Sequence, residues 1–212
     1  MDFSTMKTRC ATRFRDPNNA IVAAGEWENY LNDAKAEVDA ASERWPWLES
    51  RDTTLNLAAG VSTVAIPGSG WFVLSVLDST NDAILDEISM WTTPDRVFPS
   101  EGDETGPPEF YRVFGSNIEV YPTPDDAVVL HVTYLTAATE LSAGGDVPPW
   151  GSEFHRILVE GALSKAFLDD GNLEQGQAHA AVFQGLLAQM KATYLRNRGG
   201  GFAVLGDNWS GM

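Results

Sequence analysis

The sequence predicts an α+β fold: a helical bundle formed by N- and C-terminal helices, with an inserted antiparallel β unit. Apolar residues recur at helical spacing near both ends of the 212-residue chain, as in amphipathic helices. Between about residues 52 and 136 the pattern changes to short alternating runs separated by Gly, Pro and Asn, which is typical of strands and turns. The length suits one domain, or one domain carrying a sizeable insertion.

Two helices are predicted before the strands. The first covers about residues 4–15, with Ser4 or Thr5 as its N-cap, and ends at a turn-forming Asp-Pro-Asn-Asn run. The second covers residues 24–45, where apolar residues at spacings of three and four form one stripe. Pro46 disfavours its continuation.

The middle of the chain predicts a series of strands. Its clearest signal is FYRVFGSNIEVYP (110–122), in which two alternating runs flank Gly-Ser-Asn, a compact hairpin loop. The stretch 92–108 is rich in Pro, Gly and acidic residues and predicts a long mobile loop. The other strands are predicted over 53–57, 62–66, 71–77, 86–90 and 127–135.

The stretch DVPPWGSEFHRILVEGALSKAF (146–167) predicts a helix with Ser152 as its N-cap. This helix is apolar over most of its circumference, so we expect it to be central and buried. A last helix follows over about 173–196. The predicted organisation is a helical body from 1–51 and 137–197, a β unit over 52–136, and an extended C-terminal tail over 198–212.

The formal charge of −16 argues against tight binding to nucleic-acid phosphates, which requires clustered Lys and Arg. The ends of the chain are more basic than its middle. Two interpretations remain open: a solvated surface that keeps the protein soluble, or basic ends that contact partners and an acidic face that repels something negative. The lone Cys10 excludes an internal disulfide, and we expect neither a secretory signal nor a membrane-spanning segment.

The histidines do not predict a catalytic or metal site. A metal or catalytic histidine needs a second ligand or an acid at suitable spacing, and none accompanies these. Ser152 and His155 lie close together in sequence, but they lack the strand-to-helix elbow and the orienting acid of a hydrolase. The three isolated histidines are His131, His155 and His179.

The acidic residues Glu101, Asp103 and Glu104 lack the spacing of a calcium loop, and they lie in a predicted flexible segment. The turn Pro67-Gly68-Ser69-Gly70 lacks the lysine and the helix of a phosphate-binding loop. We therefore expect no catalytic residues, no cofactor and no metal, and so no enzyme.

The seven tryptophans suggest packing more than chemistry. For Trp27, Trp45 and Trp47 we expect core packing at helix ends. Trp209 differs because it lies in the glycine-rich tail, which has no core of its own. Two alternatives remain for the tail: disorder, or docking into a neighbouring molecule by addition of a strand or hook.

Four segments of the chain, taken together, carry a recognisable set of packing motifs. They are RFRDPNNAIVAAGEWENYLNDAKAEVDAASERWPWLE (13–49), YRVFGSNIEVYPTPD (111–125), TYLTAATELSAGGDVPPW (133–150) and HRILVEGALSKAF (155–167). These segments resemble the head-to-tail connector, or adaptor, proteins of tailed bacteriophages. The resemblance covers about residues 8–170 and is carried by packing motifs rather than catalytic signatures.

This resemblance implies a structural protein of the virion neck, made in the host cytoplasm. It implies a ring beneath the portal protein, with twelve copies if the ring follows its portal. The expected partners are other copies of the chain, the portal protein, downstream neck or tail proteins, and passing DNA that is not specifically bound. By position, docking would use the basic N-terminal helix and the tail. The candidate docking residues are Arg9, Arg13, Arg196, Arg198, Phe202, Leu205 and Trp209.

Two other functions are compatible with the residues alone. One is a glycan- or peptide-binding module that uses the β unit and exposed tryptophans. The other is a hydrolase that uses the acidic loop.

Overall fold

The computed structural model describes residues 1–16, 18–42, 45–68, 70–88 and 104–195, with the backbone only at residue 71. The chain divides into two compact units. Unit 1 consists of residues 1–47 and those from 138 onward, and unit 2 consists of residues 48–137. The described α-helices lie in unit 1 and the described strands in unit 2.

The described part of unit 1 contains four α-helices, and two short 3₁₀ helices also occur in the chain. The 3₁₀ helices cover Pro46–Leu48 and Ser152–Phe154. The α-helices are α1 (Phe3–Arg13), α2 (Ala24–Ala40), α3 (Arg156–Asp169) and α4 (Leu173–Tyr194).

The helices begin at residues other than the predicted caps. Asp2 caps α1, because its Oδ1 accepts a hydrogen bond from the Thr5 N–H at 2.7 Å. Ser152 was expected to cap the central helix, but it begins a 3₁₀ turn, and α3 starts four residues later. The Ser152 carbonyl accepts from the His155 N–H at 3.3 Å. Both predicted caps are therefore wrong.

Helix α3 is the centre of unit 1, as its all-round apolar sequence predicts. Nine of its residues are buried, including Ile157, Leu158 and Leu163. It packs against α1, α2 and α4. At Gly161 the approach is tight, since a Cβ there would lie 2.7 Å from the Cβ of Ala34 in α2 and 3.0 Å from the Phe183 ring in α4.

The described strands of unit 2 form two sheets of four strands each. The first sheet has the order β1-β8-β3-β4 and is antiparallel throughout. The second has the order β2-β7-β6-β5, and its β5–β6 pair is parallel. The strands are β1 (Glu49–Leu57), β2 (Thr63–Ala65), β3 (Gly70–Asp78), β4 (Ala83–Ile84), β5 (Asp86–Glu87), β6 (Phe110–Phe114), β7 (Asn117–Tyr121) and β8 (Val128–Thr136).

Both sheets contribute side chains to one buried cluster in unit 2. Val76 and Leu130 come from the first sheet, and Tyr111 and Ile118 from the second. Alternation along β8 places Val128, Leu130 and Val132 in this cluster, as the period of a half-buried strand requires.

The hairpin predicted over 110–122 is confirmed as β6 and β7 in antiparallel register. Its loop is Gly115-Ser116, one residue shorter than predicted, because Asn117 already pairs with Phe114. Gly115 has φ of +60°, a conformation that glycine adopts without steric cost. Of the loop predicted over 92–108, residues up to 103 lie outside the described part, and Thr105 forms a β-bridge with Thr123.

The chain is α+β, but the prediction of a bundle of terminal helices with one inserted antiparallel β unit is wrong. The strands form two sheets instead of one unit, and one sheet is mixed. The helices are arranged around α3 and do not form a bundle of terminal helices. The physical reason is that strand pairing joins residues far apart in sequence, such as Asp86 with Phe110. Local periodicity carries no information about such partners.

Candidate functional site

The basic N-terminal helix α1 presents two of the candidate docking residues. Arg9 is exposed, and no carboxylate pairs with it among the described residues. Arg13 is partly exposed, and its guanidinium donates to Glu160 Oε1 at 2.6 Å. Arg13 therefore has a role inside unit 1, while the Arg9 side chain is exposed to solvent.

Glu160 of α3 is the centre of a buried ionic cluster. Its side chain is fully buried. Oε1 accepts from Arg13 at 2.6 Å and from Arg156 at 2.7 Å, and Oε2 is 2.7 Å from Nδ1 of His179. The cluster links α1, α3 and α4 through one carboxylate.

Burial by itself would raise the pKa of Glu160. Hydrogen bonds from Arg13, Arg156 and His179 outweigh that effect, and the pKa of this carboxyl lies below its ordinary value. The group is thus held ionised as a structural anchor. This buried carboxylate was not predicted from the sequence. The i,i+4 spacing of Arg156 and Glu160, which is typical of an ion pair on a helix, could have indicated it.

A second cluster joins the segment after α2 to the end of α4. The rings of Trp45 and Trp47 stack at 4.6 Å between centroids, and Tyr194 packs edge-on to Trp47 at 5.5 Å. Trp47 Nε1 donates to Asp39 at 2.8 Å, and Asp39 also pairs with the buried Lys35 at 2.7 Å. The expected packing role of these two tryptophans is confirmed.

Of the remaining candidate docking residues, Arg196 falls at the end of the predicted last helix and the others fall in the predicted tail 198–212. The structure describes the chain as far as Leu195, which directly follows the last residue of α4. The candidates outside the described residues are Arg196, Arg198, Phe202, Leu205 and Trp209.

A groove of about 220 Å³ lies between α1 and the start of α2. Trp27 lines it, is 1% exposed, and its indole N–H has no acceptor among the described residues. Thr8 and Thr12 also line it. We call this feature the α1–α2 groove; its lining residues are Ser4, Lys7, Thr8, Ala11, Thr12, Asn19, Ala24 and Trp27.

The solvent-exposed side of α4 lacks charged residues over most of its length, although the protein as a whole is strongly acidic. Of its exposed residues between Gln175 and Thr193, none carries a formal charge. Small residues repeat along it at spacings of three and four. We call this surface the outer face of α4; it consists of Ala178, Ala181, Gly185, Ala188 and Ala192, flanked by Gln184 and Gln189.

Two of the residues considered for catalysis, His155 and Glu104, have structural partners, while Glu101 and Asp103 lie outside the described residues. His155 is buried, and its Nε2 lies 3.1 Å from the carbonyl oxygen of Trp150, while its Nδ1 contacts the amino group of Met1. His155 is therefore a core histidine with structural contacts at both ring nitrogens. Glu104, the described member of the acidic loop, accepts a hydrogen bond from the Tyr121 hydroxyl.

Within the described ranges, no three His, Cys, Asp or Glu side chains are grouped so that they could hold a metal ion. None of the described helices combines the length and apolarity needed to cross a bilayer.

Comparison with known proteins identifies the family. A family model described as SU10 adaptor protein matches residues 1–204, which is nearly the whole chain. No curated protein matches the chain. The family match confirms the resemblance to phage head-to-tail adaptor proteins. Such adaptors are structural components of the virion and associate with other head and tail proteins. The chain therefore belongs to the SU10 adaptor protein family of bacteriophages.

Proposed function

We propose that this adaptor assembles into a closed ring beneath the portal, through which DNA passes and onto which tail proteins dock. Membership of the adaptor family is the observation that carries the proposal. The ring copies the symmetry of its portal, with twelve subunits where the portal has twelve. Its place is the neck of the virion, after synthesis in the host cytoplasm.

The distribution of charge supports a DNA passage. Between residues 48 and 137, the range of unit 2, the sequence contains 14 Asp or Glu and three Lys or Arg residues. Like charge prevents adhesion of DNA phosphates, which otherwise depends on clustered cations. A passage lined by unit 2 would let DNA slide without being held.

A ring requires heterologous contacts, in which one surface of a subunit meets a different surface of the next. Arg9 of α1 is exposed and has no carboxylate partner among the described residues, which supports a docking role for the N-terminal helix. The tail 198–212 is proposed to dock on the portal or a neighbouring copy through its apolar residues.

The glycan- or peptide-binding alternative receives less support. A stacking platform needs exposed aromatic rings. Trp27, Trp45 and Trp150 are buried, and Trp47 is half-buried. These are all the tryptophan side chains in the described part of the chain.

Mixing the purified chain with its portal protein tests the ring. We expect light scattering to show a complex with one adaptor per portal subunit, and electron microscopy to show a ring added to one end of the portal. Deleting residues 198–212 should weaken portal capture, and an Arg9→Gln variant should do so to a smaller extent. A chain that stays monomeric beside concentrated portal contradicts the proposal.

A DNA-binding assay tests the passage. We expect no change in fluorescence anisotropy of labelled duplex DNA with the protein at low salt, where phosphate binding is strongest. Salt-sensitive binding to duplexes of any sequence would contradict a non-adhesive passage.

A further inference from the structure

We propose that the corner between α3 and α4 of one copy binds the C-terminal segment of a neighbouring copy, residues 196–212. The α3–α4 corner is formed by residues 168–174, all of which are exposed and lie in unit 1. The inference rests on the proposed ring and names the surface on which this segment docks.

Two leucines form an apolar patch at the corner. Leu168 is 41% exposed and Leu173 is 62% exposed. The Leu168 side chain lies over Gly176, since a Cβ added at Gly176 would be 2.7 Å from it. Leu173 precedes Gly176 by three residues and so shares its face of α4. Scattered apolar side chains are normal on a protein surface, whereas neighbouring ones favour a binding surface.

Backbone hydrogen bonds hold the corner in one conformation. Gly171 has φ of +77°, and its N–H donates to the Leu168 carbonyl at 3.0 Å. The Asn172 N–H donates to the Phe167 carbonyl at 2.8 Å, and the Asn172 side chain caps α4. A surface that is already ordered loses little conformational entropy when a partner binds.

The corner also carries two carboxylates where a helix end favours cations. Asp169 is the last residue of α3 and Asp170 is its C-cap, and the last turn contains no basic residue. The C-terminal end of a helix carries partial negative charge, so carboxylates there are unfavourable and cations are favourable. Asp169 accepts a hydrogen bond from the Tyr30 hydroxyl at 2.7 Å, but no lysine or arginine in the described chain forms an ion pair with either carboxylate. The corner therefore suits a partner that combines cations with apolar side chains.

The C-terminal segment has this combination. Arg196 and Arg198 are followed, after three glycines, by Phe202-Ala203-Val204-Leu205, and the first acidic residue is Asp207. Helix α1 also carries exposed arginines, but its apolar side chains are buried within unit 1, so α1 could not cover the leucines. Of the two basic ends of the chain, the C-terminal one matches the corner.

The reach of the segment requires that the contact join two copies. The corner precedes α4 and the segment follows it, and the 22 residues of α4 span about 33 Å. A fully extended chain places Arg198 at most about 11 Å and Phe202 at most about 25 Å from Leu195. Neither residue therefore reaches the corner of its own copy. A contact between opposite ends of α4 in two copies is heterologous, as a closed ring requires.

A labelled peptide tests the apolar part of the contact. A fluorescent peptide of residues 196–212 should bind the full-length chain saturably, as measured by anisotropy at a concentration where the chain is monomeric. Leu173→Ser should weaken this binding about tenfold, as truncation of a central interface side chain does. Ile84→Ser, at an exposed apolar position of unit 2, is the matched control and should bind as the wild type, and circular dichroism should show both variants folded. Failure of the wild-type chain to bind, or equal binding by Leu173→Ser, overturns the inference.

A charge exchange tests the ionic part of the contact. Asp170→Arg should weaken peptide binding about fivefold, since it replaces an attraction at an exposed site by a repulsion. A peptide carrying Arg198→Asp should restore binding to this variant. Glu140→Arg makes the same charge change at another exposed position of unit 1 and should change binding of the wild-type peptide little. Absence of rescue by the Arg198→Asp peptide contradicts the pairing at the corner.

Cross-linking tests the contact in the assembled ring. A Glu174→Cys/Ala203→Cys double variant, assembled with portal and treated with a short bismaleimide, should give a ladder of multimers. Each single variant should give much less than the double. The native Cys10 should not interfere, because it is fully buried and burial raises the pKa of its thiol to about 12.

The outcomes separate the two proposals. Rings with portal that give no cross-linked ladder overturn the corner contact and leave the proposed ring standing. A wild-type chain that binds the peptide but forms no ring with portal overturns the proposed function and leaves the contact between copies standing.

Discussion

At the scale of single residues, Glu160 joins three helices through one buried carboxylate. Glu160→Gln should lower the free energy of unfolding by about 2 kcal/mol, since buried charged donors lose their counter-charge. This loss of free energy is smaller than is typical when a buried ion pair is broken, because Arg13 and Arg156 are partly exposed and screened by water. Urea denaturation measures it, with the exposed Glu140→Gln as a control expected to change little. Equal stability of both variants would mean that the cluster is not an anchor.

The lowered pKa of Glu160 also sets a pH dependence. In the unfolded chain this carboxyl takes up a proton at a higher pH than in the folded chain. Its contribution is therefore fully present above its ordinary pKa, near 4.5, and is lost as the pH falls through the folded-state pKa. We expect the difference in stability between wild type and Glu160→Gln to shrink as the pH falls below about 4.5. A difference that is constant from pH 7 to pH 3 would contradict this assignment.

At the scale of helices, two glycines should respond to the same substitution with opposite signs. Gly161→Ala should destabilise the protein by about 1–2 kcal/mol, because overpacking against Ala34 and Phe183 exceeds the gain in helix propensity. Gly185→Ala should stabilise it by about 0.5–1 kcal/mol, since a Cβ there meets nothing and only the propensity changes. Thermal unfolding at a concentration where the chain is monomeric measures both. Equal shifts would contradict the close approach of α2, α3 and α4 at Gly161.

Of the β6–β7 and β5–β6 pairings in the second sheet, only the first could be predicted from the sequence pattern. The β6–β7 hairpin was predictable because its turn and both strands are contiguous in sequence. The pairing of β5 with β6 was not, since 22 residues lie between Glu87 and Phe110 and the paired segment is only two residues long.

At the scale of the whole molecule, the net charge of −16 makes assembly sensitive to salt. If copies meet through surfaces without opposite charges, raising NaCl from about 0.05 to 0.5 M should strengthen assembly, because salt screens repulsion between copies. If the basic ends instead dock on acidic surfaces, the same change should weaken assembly. Light scattering across this range separates the two arrangements. Weaker assembly at high salt would favour the contact between opposite charges.

The candidate site was only partly predictable. Basic residues near the N-terminus were visible in the sequence, and Arg9 is exposed as a docking residue must be. The sequence did not reveal that Arg13 is engaged by Glu160, 147 residues away. Nor did it reveal the α1–α2 groove, because a cavity depends on how two helices pack, which their separate periodicities do not specify.

Patterns read along the chain were enough to predict the α+β class, the first residues of α2 and α4, the hairpin, the central burial of α3 and the adaptor resemblance, although α2 ends at Ala40 and not at the predicted residue 45. Each of these depends on neighbouring residues or on a pattern read along the chain. The folded structure was needed to find that the described strands form two sheets, that Glu160 links three helices, and that the Trp27 indole N–H has no acceptor among the described residues. These features depend on contacts between residues distant in sequence, which form only when the chain folds.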